Sequence, residues 1–302
     1  MAKHILITGG TGLIGKRLTQ LLSQRGYEVA HLSRNKTGAE DIKTYKWDIK
    51  KQIVEEGAIE KARAIVHLAG ASVAGNRWTE DYKELILKSR TESSFLLYQR
   101  LQQLNHGVEV LIASSATGYY GGDAGDKICT EETHAGEDFL AYVTREWESK
   151  IQLIDKLGIR RVQFRTGIVL SEKGGALPKI LQPVKLGAGA PLGSGKQFMS
   201  WIHLDDLCEM YIRAIEDTKL EGIYNAVSPN PVTNKDFTKI AANTVNKPMF
   251  LPAVPAFALK LALGEMAQTV LGGQIVSSKK IEMSGFQYKH PHLGDALQDL
   301  LQ

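Results

Sequence analysis

The run Thr8-Gly9-Gly10-Thr11-Gly12-Leu13-Ile14-Gly15 sets glycines at positions 9, 12 and 15. That spacing suits a turn that holds a pyrophosphate with backbone N–H groups. Gly9 permits the tight turn, and Gly12 lets an anion approach without meeting a β-carbon. Gly15 lets the following helix lie close to the preceding strand. Thr11, Leu13 and Ile14 complete the groups that would face the phosphates, at the positive end of the helix dipole. A glycine-rich turn without a ligand would use the same residues. The context favours the phosphate: a buried strand precedes the turn, an amphipathic helix follows, and a second strand comes about twenty residues on. No Gly-Lys-Ser/Thr follows, so a Walker A loop is excluded.

The second strand ends at Leu32-Ser33-Arg34-Asn35-Lys36. A site for NAD places Asp or Glu here to bind the adenine ribose hydroxyls. This chain places Ser33 and Arg34, with Lys36 close behind. A guanidinium pairs with a 2′-phosphate, which a carboxylate would repel, so NADP is favoured over NAD. Arg34 and Lys36 also fit a plain reading as solvated loop charges. Asp48, ending the next strand at Trp47-Asp48, is placed either to accept from the adenine amino group or to cap a turn.

These residues need a scaffold of parallel strands joined by helices. His4 to Thr8 reads as strand one, because Ile5, Leu6 and Ile7 form the continuous apolar run of a strand buried on both faces. Leu13 to Arg25 reads as a helix, stopped by Gly26, and Glu28 to Leu32 as strand two. Further strands are expected at Ala64 to Leu68, Val110 to Ala113 and Arg161 to Arg165. Thr79 is a candidate N-cap for a long helix to about Asn105, with Glu80 and Asp81 in its first turn. A second long helix is expected over Phe139 to Leu157. The pattern then changes to loops rich in glycine, notably Gly187 to Gly195. The fold class is therefore α/β: a Rossmann-type doubly wound parallel sheet over residues 1–170, with a smaller substrate lobe over 171–302. The two parts are expected to interleave.

The 302 residues are 43% hydrophobic and 23% charged, ordinary for a globular chain with a full core. The net charge of +4 is spread along the sequence and does not argue for nucleic acid. Two distant cysteines, Cys129 and Cys208, make no disulfide framework. No signal peptide and no apolar run of about twenty residues is present, so a soluble cytoplasmic protein is expected. The eight histidines are scattered without ligand spacing, and no metal is expected. No Gly-x-Ser-x-Gly elbow appears.

The glycine turn is followed in order by His67-Leu68-Ala69-Gly70-Ala71, Ser114-Ser115-Ala116-Thr117-Gly118-Tyr119-Tyr120-Gly121, Arg165-Thr166-Gly167-Ile168-Val169-Leu170 and Trp201-Ile202-His203-Leu204-Asp205-Asp206. In this combination the chain resembles the extended short-chain dehydrogenases/reductases over essentially its whole length. Its tail, with Leu263-Gly264-Glu265-Met266 and Ser284-Gly285-Phe286-Gln287-Tyr288, resembles more narrowly the atypical subgroup described as NADP-dependent nucleoside-diphosphate-sugar epimerases. The resemblance implies 2′-phosphate contacts at Ser33 and Arg34, and a turn at Leu68, Ala69 and Gly70 passing the adenine ribose and pyrophosphate. It implies further cofactor contacts at Arg90 and Ser114, and Ile168 near the nicotinamide. Homodimers paired through the two long helices are a feature of this fold.

The wider family relies on Tyr-x-x-x-Lys for proton transfer. None of the ten tyrosines here has Lys four residues later. Tyr142 faces Glu146 at the Lys position. Aligning Glu148 with the Glu that follows the motif puts Leu140 and Thr144 at the Tyr and Lys positions. The usual pair is absent on either alignment. Ser115 stands at the position of the family's catalytic Ser, and Tyr119 and Tyr120 are candidates for a substitute acid or for substrate packing. His67 and His203 read as structural. Arg165, Lys196 and the Gly187 to Gly195 loop are candidates to meet an anionic or polyhydroxyl small-molecule substrate. Two functions follow: an NADP-dependent epimerase or reductase, and a non-catalytic NADP(H)-binding redox sensor.

Overall fold

A computed structural model of the chain describes residues 4–35 and 42–301, so Lys36 lies outside the described residues. The strands in chain order are β1 His4–Thr8, β2 Glu28–Ser33, β3 Lys43–Asp48, β4 Ile53–Val54, β5 Ala64–His67, β6 Val110–Ala116, β7 Asp123–Cys129, β8 Arg160–Thr166, β9 Ile168–Leu170, β10 Phe198–Met199, β11 Trp201–His203, β12 Gly222–Ala226, β13 Val232–Thr233 and β14 Gly273–Val276. The helices are α1 Leu13–Gln24, α2 Glu80–Gln103, α3 Phe139–Gln152, α4 Leu177–Lys185, α5 Leu204–Glu216, α6 Asn234–Thr244, α7 Ala256–Leu263, α8 Gln268–Leu271, α9 Lys279–Met283 and α10 Leu293–Leu301. The expected helix to Leu157 is divided: α3 gives way at Leu153 to a tighter 3-10 turn over Leu153–Leu157.

The central sheet runs β12-β8-β6-β5-β1-β2-β3-β4, parallel except for the edge strand β4. Alternation along β1 sends Ile5 and Ile7 into a core with Leu18 and Leu22 of α1 and Leu207 and Tyr211 of α5. Leu6 enters the opposite core, with Leu96 and Leu97 of α2 and Trp147 and Ile151 of α3. A strand apolar on both faces is thus explained by helices on both faces. β1 pairs with β2 on one side and β5 on the other, so the connections leaving β1 and β5 diverge. That divergence opens a crevice at the carboxyl ends of the strands, the place where ligands bind in open α/β sheets.

Long helices begin where the sequence offers caps. Thr79 accepts from the Tyr82 N–H at 3.2 Å, and Asp138 accepts from that of Ala141 at 2.8 Å.

A third core, with Leu181, Trp201, Phe237 and Leu297, packs α4, α6 and α10 together. Other parts of the C-terminal half join the sheet. α5 covers one face of the sheet, and β12 extends it, with Tyr224 in register with Phe164. Among the described residues no helix is long and apolar enough to cross a membrane.

Candidate functional site

The glycine turn joins β1 to α1 in the crevice. Gly9 has φ +70° and lies against the backbone of Leu68, where a Cβ would come within 3.0 Å of its carbonyl. A Cβ on Gly15 would collide with the Gly9 carbonyl oxygen and the Gly10 Cα. Gly10, for which the sequence suggested no reason, packs on the buried His31 ring, which a Cβ would strike. Gly12 differs from these. Its φ of −76° suits any residue, and the Gly9 oxygen at 3.2 Å is the one neighbour its Cβ would meet. A β-carbon there would press on that backbone oxygen, a milder conflict than the collisions at Gly10 and Gly15. Gly12 provides no side-chain cap, and the first turn of α1 carries no acidic residue. The first intrahelical bond is that from the Lys16 N–H to Gly12. The N–H groups of Leu13, Ile14 and Gly15 therefore face the crevice end without helical partners. Thr11 is exposed beside them.

At the end of β2, the Ser33 hydroxyl oxygen accepts from the Asn35 N–H at 3.4 Å, and Arg34 is exposed with no carboxylate partner among the described residues. Asp48 accepts from the Lys51 N–H at 3.1 Å, the turn-capping role of its two alternatives. The turn after β5 is held closely. Leu68 and Ala69 N–H groups donate to Thr8 Oγ1 at 3.1 and 3.2 Å, and the Ala71 N–H donates to Ser89 Oγ at 3.0 Å. Arg90 lies between Gly70 and the Trp147 ring, 5.2 Å from the ring centroid, and its Nη1 donates to the Ile86 carbonyl at 2.9 Å. Burial pushes its guanidinium down to about 10, and no carboxylate pairs with it among the described residues. Ile168 begins β9 and is partly buried, with its N–H bonded to the Ser200 carbonyl.

Alternation on β6 separates the two serines. Ser114 turns toward α5 and shares a 2.6 Å hydrogen bond with the buried Tyr211 hydroxyl. The hydroxyl keeps further hydrogen-bonding capacity beside that bond. Ser115 turns toward α3 and donates to Glu148 Oε1 at 2.5 Å. Glu148 also takes a bidentate pair from Arg165, Nε and Nη2 each at 2.8 Å, with side chains 9% and 2% exposed. Burial works to lower the Arg165 pKa, but the bonds and charge of Glu148 outweigh it and hold the guanidinium above its ordinary value. Arg165 further donates through Nη1 to the Tyr120 hydroxyl and the Glu131 carbonyl, both at 3.1 Å. With four of its five N–H groups bonded inside the protein and its side chain buried, it is not placed to meet a substrate anion, contrary to the expectation from the sequence.

The two tyrosines differ. Tyr120 is buried, donates to Asn225 Oδ1 at 2.6 Å and accepts from Arg165; burial pushes its hydroxyl up to about 12. The Tyr119 ring lies on the Arg165 guanidinium, 3.4 Å from Cζ to the centroid, and its hydroxyl has no partner among the described residues. Tyr142 is exposed, against Arg145. Leu140 and Thr144 instead face Gly118 in the turn that carries Tyr119.

Two further features were not legible from spacing. His203, His290 and Asp299 converge, with His203 Nε2 3.3 Å and His290 Nε2 4.0 Å from Asp299. His203 Nδ1 accepts from the Asp205 N–H at 3.1 Å, so the neutral ring carries its proton on Nε2 and offers no lone pair toward the cluster. The donor set does not suit a metal. A groove of about 810 Å³ opens beyond Tyr120, lined by Gly122, Asp138, Lys196, Lys260, Gln268 and Gly273. Lys196 and Lys260 have no ion-pair partner among the described residues.

Residues 5–226 match the NAD dependent epimerase/dehydratase family, and residues 254–300 match a domain of unknown function, DUF1731. The chain is 37% identical over 299 residues to the epimerase family protein YfhF of Bacillus subtilis, covering 99% of this chain and 98% of that protein. The crystal structure of human epimerase family protein SDR39U1 (isoform 2) with NADPH aligns at a TM-score of 0.89 and 31% identity, over 98% of each chain. UDP-glucose 4-epimerase from Thermus thermophilus, in complex with NAD, shares the fold at a TM-score of 0.76 and 20% identity, over 98% of this chain and 97% of that one. The chain belongs to the NAD dependent epimerase/dehydratase family, as an atypical extended short-chain dehydrogenase/reductase carrying a DUF1731 segment.

Proposed function

We propose that the protein binds NADP(H) and acts as an epimerase or reductase on a carbonyl or hydroxyl of a sugar-nucleotide-like substrate. Gly12 carries the cofactor reading: it is glycine where φ asks for none and where a β-carbon would meet one backbone oxygen at 3.2 Å, beside N–H groups without helical partners. Gly9 and Gly15 shape that turn, and the Thr11, Leu13 and Ile14 backbone holds the pyrophosphate. Arg90, desolvated and without a counter-charge among the described residues, meets the phosphates beside Gly70. Ser33 and Arg34 take the 2′-phosphate, a choice supported by the NADPH in the human relative. Asp48, Leu68 and Ala69 line the adenosine end, and Ile168 the nicotinamide end. When bound, the dinucleotide supplies hydride exchange.

The chain's own residues divide the remaining work. Ser115 gives its proton to Glu148, so it presents lone pairs and accepts from a substrate hydroxyl. Tyr119, with its free hydroxyl, exchanges the proton with the substrate oxygen. Tyr120 packs and holds Arg165. Lys196 and Lys260 suit an anionic part of the substrate in the groove.

The redox-sensor reading draws on one observation: Leu140 and Thr144 face the turn where Tyr and Lys would stand. Calorimetric titration with NADPH, NADP⁺ and NADH tests the cofactor half, with NADPH expected to bind at least roughly tenfold tighter than NADH. No binding of any of them refutes both readings. Nicotinamide absorbance with sugar nucleotides, aldehydes and ketones then tests turnover, and Tyr119→Phe should abolish it. Tight NADPH binding with no turnover in any of them favours the sensor.

A further inference from the structure

His67 ends β5 with its side chain fully buried, and both ring nitrogens are bonded. Nδ1 lies 2.7 Å from Thr8 Oγ1, and Nε2 lies 3.1 and 3.3 Å from the hydroxyls of Ser94 and Ser93 on α2. The proton positions are fixed by the partners. Ser94 Oγ donates to the Arg90 carbonyl at 2.7 Å, and Ser93 Oγ to the Ser89 carbonyl at 2.7 Å. Both serines therefore accept from His67 Nε2–H. Thr8 Oγ1 already accepts from Leu68 and Ala69 N–H, so its one proton goes to His67 Nδ1.

We infer that His67 is a positioning residue for the dinucleotide site, a neutral latch that sets the spacing between the two turns lining the crevice. The chain of bonds runs from the α2 turn that carries Arg90, through His67, to Thr8 at the start of the glycine turn, and back to the Leu68–Ala69 amides. The turns that carry Gly9, Leu68, Ala69 and Arg90 are thus tied to one another through this one ring. An apolar side chain of similar size would fill the space but leave the Thr8 hydroxyl free to rotate; the Ala69 amide would lose its acceptor, while the Leu68 amide keeps the Thr8 carbonyl at 3.2 Å. This inference rests on the NADP(H) reading for its functional consequence, though not for its geometry.

The test is His67→Leu beside His67→Asn, whose Oδ1 stands near the place of Nδ1 and can still accept from Thr8. Two readouts are taken on folded protein: amide hydrogen exchange at Leu68 and Ala69, and the Kd for NADPH. In His67→Leu the Ala69 amide should exchange faster while that of Leu68, held also by the Thr8 carbonyl, and those of β6 change little, and NADPH should bind roughly tenfold more weakly. His67→Asn should restore most of both. Thr8→Val should weaken NADPH similarly, and the Thr8→Val/His67→Leu pair should be no worse than either alone. If His67→Leu fails to fold, Ser94→Ala with Ser93→Ala carries the same expectation on a smaller scale. Wild-type exchange at Ala69 in the folded leucine or alanine variants overturns the latch. Unchanged NADPH affinity with accelerated exchange overturns its functional role. Absence of NADPH binding by the wild type fails the cofactor reading instead and leaves the exchange result standing.

Discussion

Glu148→Gln keeps the shape of the buried side chain and removes its charge. The carboxylate now accepts two parallel N–H bonds from Arg165 and an O–H bond from Ser115. The amide put in its place offers one oxygen: with it at the Oε1 place the NH₂ faces Arg165 Nη2, and turned over the NH₂ faces both Arg165 Nε and Ser115. Arg165, 2% exposed in its side chain, keeps its charge without a counter-ion. Breaking a buried pair on one side costs about 3–5 kcal/mol. At about 2.1 cal/mol/K per residue, 302 residues give an unfolding entropy of about 0.6 kcal/mol/K, so Tm should fall by roughly 5–8 °C. Glu148→Leu with Arg165→Met removes both charges and should cost several kcal/mol less than the sum of the two single changes. Thermal and urea unfolding of the four proteins in the cycle measure it. A Glu148→Gln protein within about 0.5 kcal/mol of wild type, or strictly additive single changes, would refute the assignment of this pair as the charge unit beneath the site.

Arg34→Asp should raise the Kd for NADPH by roughly a hundredfold while leaving NADH within a few-fold, and equal loss of both would remove the 2′-phosphate role. Gly12→Ala should lower Tm much less than Gly15→Ala yet still weaken NADPH, because the Gly12 β-carbon meets one backbone oxygen at 3.2 Å whereas that of Gly15 collides with Gly9 and Gly10 even without a ligand. Comparable thermal losses in the two variants would contradict the reading of Gly12. Burial pushes His67 down to about 3 from its ordinary 6.5, so the unfolded chain takes up the proton first. That contribution to stability is complete above about pH 6.5 and is lost toward about pH 3, at up to about 1.4 kcal/mol per pH unit. Asp205, held down by Arg17, adds loss in the same direction. Urea titrations from pH 7.5 to 4 that show flat stability would sink this account.

The strands of the sheet were legible because burial on both faces writes itself as an uninterrupted apolar run, as at Ile5-Leu6-Ile7. The cap at Thr79 was legible because its signal is local. The Glu148–Arg165 pair was not. A glutamate in mid-helix reads as a solvated face, and nothing in the sequence between the two residues reveals that β8 lies beneath it. His67 was read as packing for the same reason: its partners lie 59, 27 and 26 residues away. The opposite facing of Ser114 and Ser115 follows from a period of two, and could have been drawn from the strand alone.

The return of β12 to the sheet bears on how the chain can be divided. A fragment ending at residue 170 would leave the open edge of β8 exposed along Val162 to Thr166, where five register pairs are otherwise made. Such an edge is a template for foreign strands, so the fragment should aggregate when expressed alone. Supplied with residues 171–302 in trans, it should be rescued by strand complementation, which makes this junction a natural split point for a reporter. A chimera that exchanges only the smaller lobe should be cut on both sides of residues 201–226, so that α5 and β12 travel with the sheet they complete.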